Sequence, residues 1–589
     1  MFYRNKKTKY LYLLVSAIAL VAAFTSCKQR NYNSTKSFET GTNVSNIKIV
    51  PENSPKTFRD IFYTYSKSTI ADDKRTEAVQ HMVYMPDKVL IETKVTGPAS
   101  GNPLQPLTEM VGKIKPSDMY NTGLNTPMQD IANLDSTLTA EKPITIVIVP
   151  GIFGEFIRSS PYQEVFDTDN SAKKKWKSLT GETSDKNLTV DAVYSLDKLS
   201  DVPTNLNDLV TVSSIDNAAG KPLVNIIFLK PLFASLETLI PLRQATRIYE
   251  RRLKKVFALL GASENVYLMG YSRGGCVALD MVSVFSKEQY KDSWMKNLKG
   301  VVTLGGVIYG SGLADEMMAD MSGRPDNEIA RSLNWLVNKL QDTSSSGNDP
   351  VNNAKKVAEN SFLWAQETNK IAGIVKGKVP HPGFSAENIS SDLPNVGALV
   401  SLTTQFALQN LHLEKPISDY YSNIARFKEF GKQALDGINS LTTAERIKWW
   451  RTNTIPTNIK YFALTGTMLD ATTPGKSPQE LTANTYSYNS RSIDYSILRK
   501  SYYDLYKVTN QQLNDSQVSL DKSRFWPQIH RNLNHSQPDF KTYWLGVMGA
   551  DHWGMAFPVA FQTTSVGASP FPRTNLIKSV ATFLALSQE

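Results

Sequence analysis

The sequence predicts an α/β fold in which a mostly parallel β-sheet carries helices on both of its faces. Almost continuous runs of β-branched residues, of which 144–149 is the clearest, are typical of strands that are buried on both sides. Amphipathic helical patterns separate these runs, and this alternation favours parallel pairing of the strands. A block at 311–456 has a helical pattern almost throughout, which predicts a large helical cap inserted into the core.

The composition is that of a globular protein without a disulfide framework. Of the 589 residues, 41% are hydrophobic and 20% are charged, which argues against disorder. Two cysteines are too few for a disulfide scaffold or a cysteine-based zinc cage. The formal charge is +10, but the first 26 residues contribute four basic residues and no acidic one. The rest of the chain is only mildly basic, so we expect no nucleic-acid partner.

Residues 1–26 are predicted to be a lipoprotein signal peptide. A basic start is followed by the apolar run 11–24, which as a helix would rise only about 21 Å, short of the roughly 30 Å of a bilayer. Small residues then precede Cys27 in a pattern that resembles the bacterial lipobox, so we expect this thiol to carry a lipid. The protein would be exported and anchored to a bacterial membrane, at the outer membrane or the cell surface. The alternative is an ordinary signal peptide that is cleaved after Ala23.

The remaining chain divides into a tether, an extension, a core and a cap. The predicted boundaries are 27–57 for the tether, 58–142 for an N-terminal extension without an assigned role, 143–310 with 457–589 for the α/β core, and 311–456 for the cap. The predicted strands lie at 88–95, 144–149, 225–229, 265–269, 300–304, 459–464 and 543–548. The predicted core helices lie at 243–261, 272–285 and 573–586. Within the cap, an apolar stripe over 329–340 and a capping-box pattern at Thr442 and Glu445 each predict a helix.

The segment 270–274, with the sequence GYSRG, is a G-x-S-x-G motif between a predicted strand and a predicted helix. This context is required for a nucleophile elbow, a sharp turn that exposes a serine hydroxyl. Glycines flank the serine because a Cβ at those positions would collide with the neighbouring backbone. We therefore expect Ser272 to be a nucleophile.

A serine nucleophile also needs two backbone N–H groups that stabilise the oxyanion of the tetrahedral intermediate. One of them usually belongs to the residue that follows the nucleophile, which is Arg273 here. We expect the other at Ile152, in the Pro-Gly-Ile loop that directly follows the strand at 144–149.

His552 is the expected general base, because it follows the last predicted strand and precedes the final helix. The other histidines are less suitable as the base. His81 and His412 lie in helical patterns, and His381 lies in the cap, where it could contact substrate. The spacing of His530 and His535 is unsuitable for a metal site. We expect neither a metal ion nor an organic cofactor.

The base needs a carboxylate that fixes its tautomer. Asp470, just past the strand at 459–464, is the expected acid, and Asp315 is the alternative. Asp551 is adjacent to the base in sequence, so its side chain is poorly placed to reach the same ring.

Together these motifs resemble the α/β-hydrolase superfamily, and within it the serine esterases and lipases. The resemblance covers about 143–310 and 457–588. It implies the nucleophile at Ser272, the acid at Asp470, the base at His552 and the oxyanion donors at Ile152 and Arg273. The superfamily often carries a helical cap where this chain has its insertion.

The activity implied by this resemblance is hydrolysis of carboxylic esters, including lipid esters, through an acyl-enzyme. Three alternatives with the same triad stay open, namely a peptidase, a thioesterase and an acyltransferase, because pocket geometry decides between them. A further alternative is a surface-binding lipoprotein without activity. The sequence does not predict an oligomeric state.

Overall fold

The structure is a computed structural model. The described residues are 58–67, 83–84, 104, 129–152, 161–181, 206–231, 240–261, 264–286, 294–315, 318, 436–468, 498, 501–503, 505–506, 508–526, 529–530, 533–558, 569 and 571–588. Several predicted features lie outside these residues. They are the lipidation site Cys27, the strand at 88–95, the apolar stripe at 329–340, Asp470 and most of the cap.

The described residues form one sheet of eight strands, which confirms the predicted mostly parallel α/β architecture. The strands are β1 (Val83–Tyr84), β2 (Ile144–Val149), β3 (Val210–Asp216), β4 (Pro222–Leu229), β5 (Asn265–Tyr271), β6 (Leu298–Leu304), β7 (Lys460–Gly466) and β8 (Lys541–Met548). Their order across the sheet is β1-β8-β7-β6-β5-β2-β4-β3. The edge pairs β1–β8 and β3–β4 are antiparallel, and the other five pairs are parallel.

Helices accompany these strands, and eight α-helices have their full span within the described part of the chain. They are α1 (Phe58–Ser66), α2 (Gln163–Phe166), α3 (Ser171–Thr180), α4 (Leu242–Leu260), α5 (Arg273–Phe285), α6 (Thr443–Thr452), α7 (Leu520–Ser523) and α8 (Arg573–Leu586). Short 3₁₀ turns lie at Leu134–Thr137, Leu206–Asp208 and Trp294–Asn297. Within the described ranges, no helix combines the length and the apolar character needed to cross a bilayer.

The helices cover both faces of the sheet. In β5, Gly270 lies against α5, because a Cβ built on it would meet the backbone of Gly274 at 2.4 Å. Three positions earlier on the same strand, the Tyr267 hydroxyl accepts a 3.2 Å hydrogen bond from Gln588, just beyond α8. Since successive side chains of a strand point to opposite faces, α5 and α8 lie on opposite sides of the sheet.

Helix α1 packs against helix α8. Phe58 contacts the ring of Phe583 edge-on at 6.2 Å, and Phe62 stacks on Phe571 at 5.9 Å. The Tyr65 hydroxyl lies 3.0 Å from that of Thr582. Each fully buried phenylalanine contributes roughly 1.5–3 kcal/mol of hydrophobic stabilisation, so this part of the predicted extension is joined to the core.

The edge strand β3 was not predicted from the sequence, because Ser213 and Ser214 interrupt its apolar pattern. Asn170, which caps the start of α3, satisfies both of these buried serines. Its Nδ2 donates to Ser213 Oγ at 2.7 Å, and its Oδ1 accepts from the Ser214 N–H at 3.0 Å. Burial of polar residues in this strand therefore depends on a partner that lies 43 positions away.

The capping box predicted ahead of α6 is confirmed in its first half. The Thr442 hydroxyl accepts a hydrogen bond from the Glu445 N–H at 3.3 Å, so α6 begins where the sequence pattern placed it.

Candidate active site

The candidate residues gather at the edge of the sheet where its parallel strands end. Ser272 directly follows β5, Gly151 follows β2, Gly305 follows β6, and His552 lies shortly after β8. In open α/β sheets this carboxyl edge is where ligands bind, because the connecting loops diverge there and leave a crevice.

The predicted strand, turn and helix around Ser272 are all present. Ser272 has φ +55° and ψ −125°, a conformation that costs a non-glycine residue about 1–3 kcal/mol. Neighbouring backbone stabilises it, because the Ser272 N–H donates to the Leu304 carbonyl and its own carbonyl accepts from the Gly275 N–H, each at 3.0 Å. Strain of this kind persists only where the surroundings impose it, which is typical of a functional turn.

The two glycines of the motif let the strand, the turn and the helix approach closely. A Cβ on Gly270 would lie 2.4 Å from the backbone of Gly274, and a Cβ on Gly274 would lie 2.2 Å from the carbonyl oxygen of Val149. No side chain fits at either position without moving backbone, so the sharp bend at Ser272 requires both glycines.

The loop after β2 lies directly beside this bend. Val149 and Gly270 are partners in neighbouring parallel strands, and a Cβ on Gly151 would lie 3.0 Å from that of Ser272. The next residue, Ile152, is half-buried against the core. The structure therefore brings the loop that carries Ile152 to the nucleophile candidate.

Arg273, the other expected oxyanion donor, is the first residue of α5, so its backbone N–H is not used by the helix. Its side chain is fully buried and donates to the Ile240 carbonyl. The guanidinium therefore lies in the protein interior.

His552 forms a buried pair with Asp515. Its Nδ1 lies 2.6 Å from Asp515 Oδ2, and its backbone N–H donates to the Asp515 carbonyl at 2.8 Å. The other carboxylate oxygen accepts from the N–H groups of Gln517 and Val518 at 3.0 and 2.8 Å, which fixes the orientation of the carboxylate. Among the described residues none forms a hydrogen bond with the buried Nε2 of His552, so this nitrogen is available to a hydroxyl or a water.

Gly305 connects this pair to the serine turn. Its φ is +52°, and a Cβ there would lie 2.9 Å from Asp515 Oδ2 and 3.1 Å from His552 Nδ1. The preceding residue, Leu304, accepts the backbone hydrogen bond from Ser272. Consecutive residues at the end of β6 therefore contact the histidine–aspartate pair and the serine.

The carboxylate on His552 is not the one expected from the sequence. Asp470 lies outside the described residues, and the carboxylate that contacts the ring belongs to Asp515. The alternative, Asp315, accepts from the Thr443 N–H at 2.6 Å and from Lys522 Nζ at 3.3 Å, so it caps α6 instead. Asp551 accepts from the Gly554 N–H at 2.6 Å, in keeping with its expected failure to reach the ring.

Asp515 belongs to a segment that lies next to the end of β7, although this segment comes much later in the chain than the strand. The backbone N–H of Met468, two residues past β7, donates to the Asn514 carbonyl at 3.0 Å. The sequence signal is a polar turn, Asn-Asp-Ser-Gln, which ordinary surface loops also contain. Only the tertiary pairing distinguishes this turn from any other.

Of the remaining histidines, His530 is enclosed by aromatic rings. Its Nε2 lies 2.6 Å from the Tyr309 hydroxyl, and the rings of Trp450 and Phe540 pack on it at 3.8 and 4.9 Å. Burial, with a smaller contribution from the Arg446 charge, lowers the pKa of His530 well below its usual value. His535 is exposed, and the described residues contain no group of three or more His, Cys, Asp or Glu side chains suited to a metal.

This lowered pKa predicts a loss of stability in mild acid. Below about pH 6.5 the unfolded chain protonates His530 while the folded chain does not, so the free energy of unfolding falls by up to about 1.4 kcal/mol per pH unit. We expect urea unfolding at several pH values to show this slope in the wild type, less of it in His530→Gln, and all of it in the exposed control His535→Gln. Equal slopes for the three proteins would contradict the prediction.

Comparisons with known proteins do not place the chain in a family. Neither a protein-family model nor the sequence of a curated protein matches it. Among solved structures, a metagenomic carboxyl esterase is 12% identical, with 90% of this chain and 91% of that chain covered and a TM-score of 0.37. The Staphylococcus hyicus lipase is 14% identical, with 76% and 98% covered and a TM-score of 0.32. Mature lipase BlEst2 of Bacillus licheniformis is 14% identical, with 70% and 85% covered and a TM-score of 0.26.

The strand order of this chain defines its fold class, and its own side chains define the candidate site. Those observations establish an α/β fold whose mostly parallel sheet carries a strained serine and a buried histidine–aspartate pair at its carboxyl edge.

Proposed function

We propose that the chain is a serine hydrolase that cleaves carboxylic esters, with Ser272 as nucleophile, His552 as general base and Asp515 as the supporting acid. The observation that carries the proposal is the 2.6 Å contact between His552 Nδ1 and Asp515 Oδ2, while no described residue forms a hydrogen bond with Nε2. A carboxylate on Nδ1 holds the proton there, so Nε2 presents the lone pair that a serine hydroxyl needs.

The proposed reaction has two halves. Ser272 Oγ attacks the ester carbonyl while His552 Nε2 takes the hydroxyl proton, and backbone N–H groups at Ile152 and Arg273 stabilise the oxyanion. The alcohol leaves with that proton, and the acyl group remains on Ser272. A water then attacks the acyl-enzyme with His552 as its base, which releases the carboxylic acid and restores the serine.

A fluorophosphonate probe tests the proposal, because it reacts only with an activated serine. We expect the folded protein to be labelled on the peptide that contains Ser272, and the heat-denatured protein to remain unlabelled. Absence of labelling, or labelling of a different serine, would contradict the assignment and favour a binding protein without activity.

The substrate class requires a separate comparison. We expect p-nitrophenyl esters of some acyl length to be hydrolysed faster than the matching thioester and anilide, and water to be preferred over an added alcohol as acceptor. Faster turnover of the anilide or thioester, or acyl transfer to the alcohol, would point to a peptidase, a thioesterase or an acyltransferase. Lipid attachment at Cys27 stays a proposal from the sequence, which fatty-acid labelling of a Cys27→Ser variant in cells would test.

A further inference from the structure

Tyr271 joins the strand of the proposed nucleophile to the loop of the proposed base. It is the last residue of β5, immediately before Ser272, and it is fully buried. Its hydroxyl donates a 2.7 Å hydrogen bond to the backbone carbonyl of His552, and its ring lies 5.0 Å from the imidazole. From these contacts we infer that Tyr271 is a positioning residue that holds the base at the nucleophile, an inference that rests on the proposed function.

Asp515 and Tyr271 restrain different parts of His552. Asp515 contacts the backbone N–H and the ring Nδ1, so it sets the tautomer and the rotation of the ring. Tyr271 holds the backbone carbonyl, on the other side of the same residue. Because Tyr271 and Ser272 are consecutive, this bond fixes the base loop relative to the strand that presents the hydroxyl.

The tyrosine is itself held firmly, as a positioning residue must be. Its ring packs edge-on against Phe557 at 5.7 Å, and a Cβ on Gly151 would lie 2.9 Å from its Cδ1. Burial, reinforced by the neighbouring Tyr162, Asp515 and Asp551, raises the pKa of Tyr271 well above its usual value. The hydroxyl therefore stays protonated and remains a donor over the whole working pH range.

Removal of this hydroxyl should impair turnover more than substrate binding. The proton transfer from Ser272 depends on the position of the imidazole to within fractions of an ångström, whereas substrate binding does not require the base to be aligned. For Tyr271→Phe we expect kcat to fall about 5- to 20-fold while KM changes less than about twofold.

Tyr461→Phe is the matched control. Tyr461 is also fully buried in the sheet, in β7, and its hydroxyl donates to the Pro456 carbonyl at the same 2.7 Å. Each variant loses one hydrogen bond from a buried tyrosine to a backbone carbonyl, so both should show a similar drop in melting temperature. Only Tyr271→Phe should lower kcat. Equal kcat values for the two variants, or an effect confined to KM, would overturn the inference.

A donor-restoring variant separates the hydrogen bond from the packing of the ring. Tyr271→4-aminophenylalanine keeps an N–H donor on the ring, and we expect its kcat to return to within about threefold of the wild type. Tyr271→4-fluorophenylalanine lacks a donor and should resemble Tyr271→Phe. If the amino variant is as slow as the fluoro variant, the inference is wrong.

Two further measurements keep the test decisive. Where a variant yields little folded protein, the rate of fluorophosphonate labelling in a cell extract replaces kcat, because the probe reports only folded protein with an activated serine. Wild-type hydrolysis that is abolished by Ser272→Ala upholds the proposed function, whatever the Tyr271 variants do. Hydrolysis that survives Ser272→Ala overturns the proposed function, and this inference with it.

Discussion

Replacement of Ser272 by alanine is expected to lower kcat for ester hydrolysis about 10⁵- to 10⁶-fold. Without the hydroxyl no acyl-enzyme forms, although the oxyanion donors would still support slow attack by water. Alanine and serine have similar backbone preferences, so the strained conformation at this position should cost both about the same. We therefore expect an unchanged melting temperature beside the lost activity, measured with the best p-nitrophenyl ester.

Ser286→Ala is the control for this substitution. Ser286 caps the opposite end of α5, where its hydroxyl donates to the Ser283 carbonyl at 3.0 Å. It should lose at most about 1 kcal/mol of stability and no activity. A Ser272→Ala variant that keeps more than about a tenth of wild-type kcat would exclude Ser272 as the nucleophile.

Asp515→Asn is expected to lower kcat about 10³- to 10⁴-fold with little loss of stability. The asparagine carbonyl can still accept the backbone N–H groups of Gln517 and Val518, so the turn is preserved. Its amide, however, presents a donor to His552 Nδ1. The ring must then accept at Nδ1 and carry its proton on Nε2, where it cannot take the proton of Ser272.

Asp470→Asn, assayed in parallel, decides between the two candidate acids. We expect its kcat to stay within about twofold of the wild type, since the contact to His552 comes from Asp515. A large loss in Asp470→Asn together with near-normal Asp515→Asn would restore the acid predicted from the sequence. A third variant, Asp315→Asn, should affect the cap of α6 and its stability rather than kcat.

The interior of the fold was predictable because burial on both faces of a parallel sheet demands unbroken apolar strands. The runs at 144–149 and 265–269 therefore identified β2 and most of β5 without reference to any partner. The antiparallel edge strand β3 escaped prediction because its buried serines depend on partners outside the strand's own pattern, Asn170 among them. Whether a segment forms an edge strand depends on the residues that pack beside it, and a local sequence pattern does not include those residues.

The candidate site likewise contains residues that local sequence identifies and one residue that it does not. Ser272 was identifiable because its elbow needs glycines at fixed spacing, and His552 because it follows the last predicted strand. The supporting acid requires no particular residues next to it in the sequence, since any aspartate whose carboxylate reaches the imidazole can serve. Asp470 is the first aspartate after β7 in the sequence, but the carboxylate that contacts His552 belongs to the segment around Asn514, which is hydrogen-bonded next to the end of that strand.

The sequence by itself determined the α/β class, the position of the strained serine turn and the histidine candidate, because each follows from local patterns and from their order along the chain. The tertiary structure alone decided which carboxylate meets the imidazole, that the Arg273 side chain is buried, and that Tyr271 bonds to the loop of His552. These are contacts between residues brought together by the pairing of strands across the sheet. Their partners are set by the order of those strands in space, which no short stretch of sequence encodes.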